Sequence, residues 1–204
     1  ASRELVSTLL VFSKSDHVSK LVRCILALKK DSIAGDQVVL VVNGGSYSSV
    51  SKLSEWDDWI QDPLFKMIYL DNLTPFGEAL NHGLKYCRHD YILRIDPDDI
   101  SLPGRITLQM KSLEKDRNLA VCGGWAREMY DDSGLISVTR ETPLDHESIV
   151  RQARFKNPML HVSVIMRKSH VESVGGYPEL AKGQDYLLWI KLIMKGYRFK
   201  NINS

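Results

Sequence analysis

A chain of 204 residues can bury one sizeable core, so a single domain is the default. Its 27 basic and 25 acidic side chains leave a net charge of +2, far from the excess expected of a nucleic-acid binder, so a charged substrate must be met locally. No apolar run approaches the ~20 residues of a membrane span, and the first residues lack a signal-peptide pattern; membrane contact is expected to be peripheral at most. Cys24, Cys87 and Cys122 are odd in number, far apart and set in apolar segments, which predicts buried, reduced thiols of a cytoplasmic protein.

In chain order, Val6 to Phe12 is a continuous apolar, β-branched run and reads as the first strand. Ser13-Lys14-Ser15-Asp16 is a polar turn, with Asp16 placed to cap the helix predicted from His17 to Lys30. Gln37 to Val42 is a second buried strand, ending in Asn43-Gly44-Gly45. Strand, helix and strand at this spacing form a right-handed βαβ unit, hence a parallel sheet. Ser46 to Asp62 predicts a short helix whose Trp56 and Trp59 pack on the sheet, and Phe65 to Leu70 a third strand. Thr74-Pro75 reads as the cap and first position of a helix with Ala79, Leu80, Gly83, Leu84 and Cys87 on one face.

Tyr91 to Ile95 is short, apolar and without alternation, as an interior strand covered on both faces should be. It breaks into Asp96-Pro97-Asp98-Asp99. In open α/β sheets ligands bind beyond the carboxyl ends of the strands, so acids placed there face a site. Two unit charges ~4 Å apart repel by about 4 kcal/mol at an effective dielectric near 20, a cost that a cation removes. An all-oxygen set suits Mg²⁺ or Mn²⁺. A solvated Asp-Pro-Asp turn is the other reading of the trio.

Ser101-Leu102-Pro103 restarts a helix with Ile106, Met110 and Leu113 inward. Leu119 to Glu128 and Ile136 to Arg140 read as strands around the turn Asp131-Asp132-Ser133-Gly134. Asp145 to Phe155 predicts a helix, Met159 to Met166 a strand, and Lys168 to Val174 a helix stopped by Gly175-Gly176. Gln184 to Lys195 is a helix closed by Gly196, and Tyr197 to Ile202 a last strand. The fold class is α/β, a three-layer α/β/α sandwich with a mostly parallel central sheet.

The order of these pieces resembles the inverting glycosyltransferases of family 2, with the GT-A nucleotide-sugar-binding fold. The resemblance is carried by Val6 to Phe12, Val41-Val42-Asn43-Gly44, Ala79-Leu80-Asn81-His82-Gly83, the acidic run from Arg94 through Ser101-Leu102-Pro103-Gly104-Arg105, His161-Val162-Ser163-Val164, Gly175-Gly176-Tyr177 and Gln184-Asp185-Tyr186-Leu187-Leu188-Trp189. It implies one domain over 1–204, with a nucleotide-sugar half at 1–105 and an acceptor half at 106–204, lacking a C-terminal segment that closes over the donor in relatives.

The resemblance also implies roles. Phe12, Ser13, Lys14, Asn43 and Asn81 line the nucleoside pocket; relatives carry an acid near position 43. Asp98 is the first choice as metal ligand and Asp99 the second, with Asp96 on ribose or metal. Arg94 binds phosphate or holds the acidic loop, and Arg105 forms a structural ion pair. Asp185 is the general base that deprotonates the acceptor hydroxyl, and Gln184, where the family more often has Glu, is an acceptor contact beside it. His161, opening a strand, stands beside acceptor or diphosphate. Trp125 forms an acceptor wall because Gly123-Gly124 let the backbone approach a ligand, while the spacing of Trp189 favours the core.

The implied activity is transfer of a sugar from a nucleotide-diphosphate donor, UDP-linked first, to a saccharide or lipid-linked saccharide in bacterial surface-polysaccharide assembly, at the inner face of the cytoplasmic membrane. Two alternatives stand beside it. A nucleotidyltransferase calls for a glycine-rich first loop, which Phe12-Ser13-Lys14-Ser15-Asp16 is not. A non-catalytic nucleotide-sugar-binding module needs no base.

Overall fold

The computed structural model describes residues 3–130, 135–180 and 182–203. Its centre is a seven-stranded sheet in the order β3-β2-β1-β4-β8-β5-β9. The strands are β1 (Val6–Phe12), β2 (Gln37–Asn43), β3 (Phe65–Leu70), β4 (Tyr91–Arg94), β5 (Leu119–Gly124), β8 (Ile165–Arg167) and β9 (Arg198–Ile202). Only β8 runs against its neighbours, antiparallel to both β4 and β5; the other pairings are parallel.

Every residue of β1 and β2 is buried, which is why neither strand shows apolar–polar alternation. Alternate side chains enter two cores. Leu9, Val11, Val39 and Val41 pack with Ala79, Leu80 and Leu84 of α4 (Phe76–Tyr86) and with Leu188 and Trp189 of α8 (Gln184–Met194). Leu10, Phe12, Leu40 and Val42 pack on the other face with α1 (Val18–Asp31), α5 (Arg105–Lys115) and the tryptophans of α3 (Trp56–Gln61); α2 is the short Tyr47–Val50. A Cβ at Gly83 would collide with Leu9 and Val41, so glycine sets how closely α4 lies on the sheet.

Several local readings need correction. Asp16 does not cap α1. His17 holds that position without a side-chain bond, and the Asp16 carboxylate instead accepts from Ser13 N at 2.6 Å. Pro75 stands at the N-cap of α4, one residue later than expected. The helix after the acids starts at Arg105 rather than Ser101, because Gly104 turns the chain at φ 81° and Asp31 accepts from Gly104 N and Ile106 N.

Leu119 to Glu128 is broken at Trp125. β6 (Ala126–Tyr130) leaves the main sheet and pairs only with β7 (Leu135–Arg140), and the turn 131–134 lies outside the described residues. α6 (His146–Gln152) is capped by Asp145 but ends before Phe155. The expected strand from Met159 to Met166 is a 3₁₀ turn, His161–Ser163, ahead of the three-residue β8. Ser163 Oγ donates to Leu160 O and receives from Gly124 N, and those bonds coil the chain where a strand would extend it. α7 (Lys168–Ser173) follows as expected.

Candidate active site

The acids sit where the parallel strands end. Asp99 N donates to Asp96 O at 3.0 Å and Asp96 N donates to an Asp99 carboxylate oxygen at 3.4 Å, closing a four-residue turn after β4. This brings ligand oxygens of Asp96, Asp98 and Asp99 within 4.8 Å of one another. Burial first, then the charges of Asp96 and Asp98, push the Asp99 carboxyl up to about 6. Asp16 joins this field: burial raises its carboxyl, the Ser13 amide opposes the rise, and Asp98 and Asp96 add to it. Cys24 lies beneath, its Sγ 3.6 Å from Asp96 O and its thiol pushed up to about 12, chiefly by burial. The other two cysteines are also buried free thiols. A cluster of hard oxygen donors that disfavour one another's ionisation fits a divalent cation.

Arg94, the last residue of β4, is fully buried, and each of its three nitrogens has a protein partner. It donates to Asp96 Oδ1 at 2.7 Å, to the carbonyls of Leu9 and Ile95, and through Nε to His161 Nε2 at 3.2 Å, while Phe76 faces the guanidinium at 5.6 Å. An arginine can only donate, so His161 Nε2 must accept and the imidazole proton sits on Nδ1. Tyr177 Oη lies 2.7 Å from the same nitrogen and 3.6 Å from Met166 Sδ. Burial, then Arg94, hold His161 well below its ordinary value, and burial raises the Tyr177 phenol. The ring stands edge-on to Phe76, Tyr177 and Trp189. Asp96, Arg94, His161 and Tyr177 thus form one hydrogen-bonded chain.

At the other end, Asp185 occupies the first turn of α8, behind Gly183 at φ 76°. Asn157 Nδ2 donates to its Oδ2 at 2.8 Å. The charges of Asp185 and Asp96 both reach Tyr177 and add to the effect of burial on its phenol. Gln184 is buried against the start of α4, where a Cβ on Gly77 would lie 3.3 Å from its Cβ. Trp189 is in the core, as its spacing predicts.

Other expected contacts are taken up by the fold. Phe12 is fully buried among the residues against α1 and offers no side chain to a pocket. Ser13 is half-buried beside Asp16, and Lys14 is exposed. Asn43 exchanges two 2.9 Å bonds with Thr74, Nδ2 to its carbonyl and Oδ1 from its amide. Asn81 makes the same reciprocal pair, at 2.8 Å, with Tyr177. Asn43 thus ties the end of β2 to the loop before α4, and Asn81 ties α4 to the loop before α8.

Arg105 donates to Gln109 and to the carbonyls of Arg94 and Val162, with no carboxylate partner among the described residues; burial drives its value down to about 10. Trp125 gives its indole N–H to Thr142 O. A Cβ on Gly123 would strike Asn201 and Met159, so that glycine admits a side chain of the fold and not a ligand. His161 lies in a 3₁₀ turn, not at a strand start. Sequence reading missed Asp16 and Asn157. The first looked like a helix cap, and the second joins the site across 28 residues.

A mostly parallel α/β sheet with acids gathered at its carboxyl edge defines a GT-A-type protein. The fold matches the mannosyltransferase PcManGT from Pyrobaculum calidifontis, solved in complex with GDP-Man and Mn²⁺, with a TM-score of 0.72 and 14% identity over 100% of this chain and 56% of that one. The chain belongs to glycosyl transferase family 2, whose family model matches residues 16–175. It is 30% identical over 199 residues to the amylovoran biosynthesis glycosyltransferase AmsE of Erwinia amylovora, covering 97% of this chain and 73% of the relative. It is 26% identical over 198 residues to the UDP-Gal:alpha-D-GlcNAc-diphosphoundecaprenol beta-1,3-galactosyltransferase of Escherichia coli, covering 97% and 71%. Among the described residues no helix is long and apolar enough to cross a membrane.

Proposed function

We propose that the protein transfers a sugar, with inversion, from a nucleotide-diphosphate donor to a saccharide carried on a lipid diphosphate, in cell-surface polysaccharide synthesis. The observation that carries the reading is the turn after β4 that gathers three carboxylates, with a separate carboxylate, Asp185, in the first turn of α8. The charges of Asp96, in the turn, and of Asp185 both reach Tyr177. The names of the relatives support the substrate class: a UDP-Gal donor and a diphosphoundecaprenol acceptor for one, amylovoran biosynthesis for another. UDP is therefore the first donor base to test, and the cytoplasmic face of the membrane the expected location.

Asp98, with Asp96 and Asp99, would hold Mg²⁺ or Mn²⁺, which supplies Lewis-acid stabilisation of a diphosphate leaving group. Asp185 takes the proton from the attacking hydroxyl of the acceptor. Its Oδ2 is held by Asn157, which leaves Oδ1 to accept the proton. Arg94 orients Asp96 and fixes the neutral His161 tautomer, leaving Nδ1–H as the imidazole's donor. Because the Arg94 guanidinium already has protein partners, it positions this network and does not bind phosphate.

The test is calorimetric titration of UDP and then GDP, with Mn²⁺ and again with chelator. Tight binding of one nucleotide only with metal is the expected result. Equal binding in chelator would remove the metal from the reading, and binding of neither would overturn the donor site.

A further inference from the structure

We infer that the outer stripe of α8, together with the turn that follows α6, is a docking surface for an anionic lipid bilayer. This deepens the function proposed above and rests on its lipid-borne acceptor. α8 buries Gln184, Leu188, Trp189 and Leu192, and along the border of that face Leu187, Lys191, Met194 and the C-cap residue Lys195 form one exposed stripe at helical spacing. The turn after α6 exposes Arg154, Phe155 and Lys156, with Arg151 just before it.

Phe155 and Met194 are 86% and 82% exposed, the two most exposed large apolar side chains among the described residues, and both fall on these two pieces. The pieces are tied together where α8 begins: Tyr186 Oη donates to Ala153 O at 2.7 Å, and Asn157 donates to Asp185 at 2.8 Å.

The charge of this region points to the occupant. The chain as a whole is nearly balanced, yet residues 148–171 and 186–204 contain no Asp or Glu, and carry five and four Lys or Arg respectively. Among the described residues Arg151, Arg154, Lys156, Lys191 and Lys195 enter no ion pair, so their charge stays available. Exposed bulky apolar side chains set among unpaired cations suit the boundary of acyl chains and anionic headgroups. A protein partner of ordinary composition would need an acidic surface and an apolar pocket at once. The surface adjoins Asp185, so an acceptor anchored in the bilayer arrives beside the residue proposed to deprotonate it.

Vesicle co-sedimentation of the chain tests this without turnover. Binding is expected to vesicles of phosphatidylcholine with roughly a third phosphatidylglycerol, to weaken in high salt, and to be at least tenfold weaker on phosphatidylcholine alone. Each surface cation contributes roughly fivefold to such partitioning, so Arg154→Glu with Lys191→Glu should reduce it more than tenfold. Phe155→Ser with Met194→Ser should reduce it severalfold, with the thermal midpoint and nucleotide affinity unchanged in both pairs. Equal binding to neutral vesicles, or no response to either pair, would overturn the proposal. So would a dimer in lipid-free solution that Phe155→Ser with Met194→Ser dissolves, because that assigns the patch to a second copy. Vesicle binding without nucleotide binding would instead sink the transferase reading and leave the surface standing.

Discussion

The turn after β4 and the first turn of α8 both present carboxylates, and the fold treats them oppositely. Around Asp96, Asp98 and Asp99 the acids crowd one another, Asp16 adds to the field, and only Asp96 has an arginine partner. At α8 a single carboxylate meets a helix N-terminus and a neutral amide donor from Asn157. The first group lacks a counter-charge that a substrate-bound cation can bring. The second is a lone carboxylate with a neutral donor on one oxygen, and on the function proposed above it receives a proton. On that function, the first would hold a cation and the second would act as the base.

The comparison breaks most sharply at Asp185. Asp185→Asn keeps the bond from Asn157 to a side-chain oxygen but cannot take a proton. Transfer should fall by roughly 10³-fold, about 4 kcal/mol, with metal-dependent nucleotide affinity within twofold of the parent. Retained transfer in a coupled assay would remove Asp185 as base. Next in size is a splint. Asn81→Ala removes two reciprocal bonds and leaves Tyr177 N and O without them, so chemical denaturation should report a loss of about 2–3 kcal/mol. If Asn81 were instead a nucleoside contact, the loss would appear in nucleotide affinity and stability would hold.

That pair also marks how far the sequence can be read. β1 and β2 are legible because an unbroken β-branched run can be buried on both faces only inside a sheet, and the gathering of three acids follows from their spacing after β4. A carboxamide announces nothing comparable. Whether Asn43 or Asn81 meets a ligand or a backbone depends on residues 31 and 96 positions away. The 3₁₀ turn at His161 is hidden for the same reason, since Ser163 and Gly124, far apart in the chain, decide it. Asp16 reads as a helix cap until β4 brings the other acids beside it.

At the acidic turn the expected effects are smaller. Asp98 is exposed and least committed to the fold, so Asp98→Ala should leave the thermal midpoint within a degree or so while weakening nucleotide binding in Mn²⁺ on the order of tenfold, ~1.4 kcal/mol. In chelator the parent and the variant should bind alike. A loss of the same size without metal would mean that the carboxylate contacts the nucleotide directly, and the contrast with Asp185 would no longer be one of cation against proton.

Asp99→Asn sharpens the contrast by reversing the sign on stability. The Asp99 carboxyl titrates at about 6 because burial and the Asp96 and Asp98 charges disfavour its ionisation. A group raised in this way stabilises the fold below its ordinary value near 4, and that contribution is lost as pH rises through 6. The amide keeps an oxygen to accept from Asp96 N and never ionises. At pH 7.5 without metal, Asp99→Asn should therefore be more stable by about 1 kcal/mol, a rise of ~2–4 °C in a chain of this size, with the gain vanishing near pH 4. Mn²⁺ should raise the parent's midpoint more than the variant's, since the cation removes in the parent the repulsion that the amide has already removed. A variant less stable than the parent at both pH values would mean that the ionised carboxylate itself holds the turn, and that the crowding of acids after β4 carries no cost for a metal to relieve.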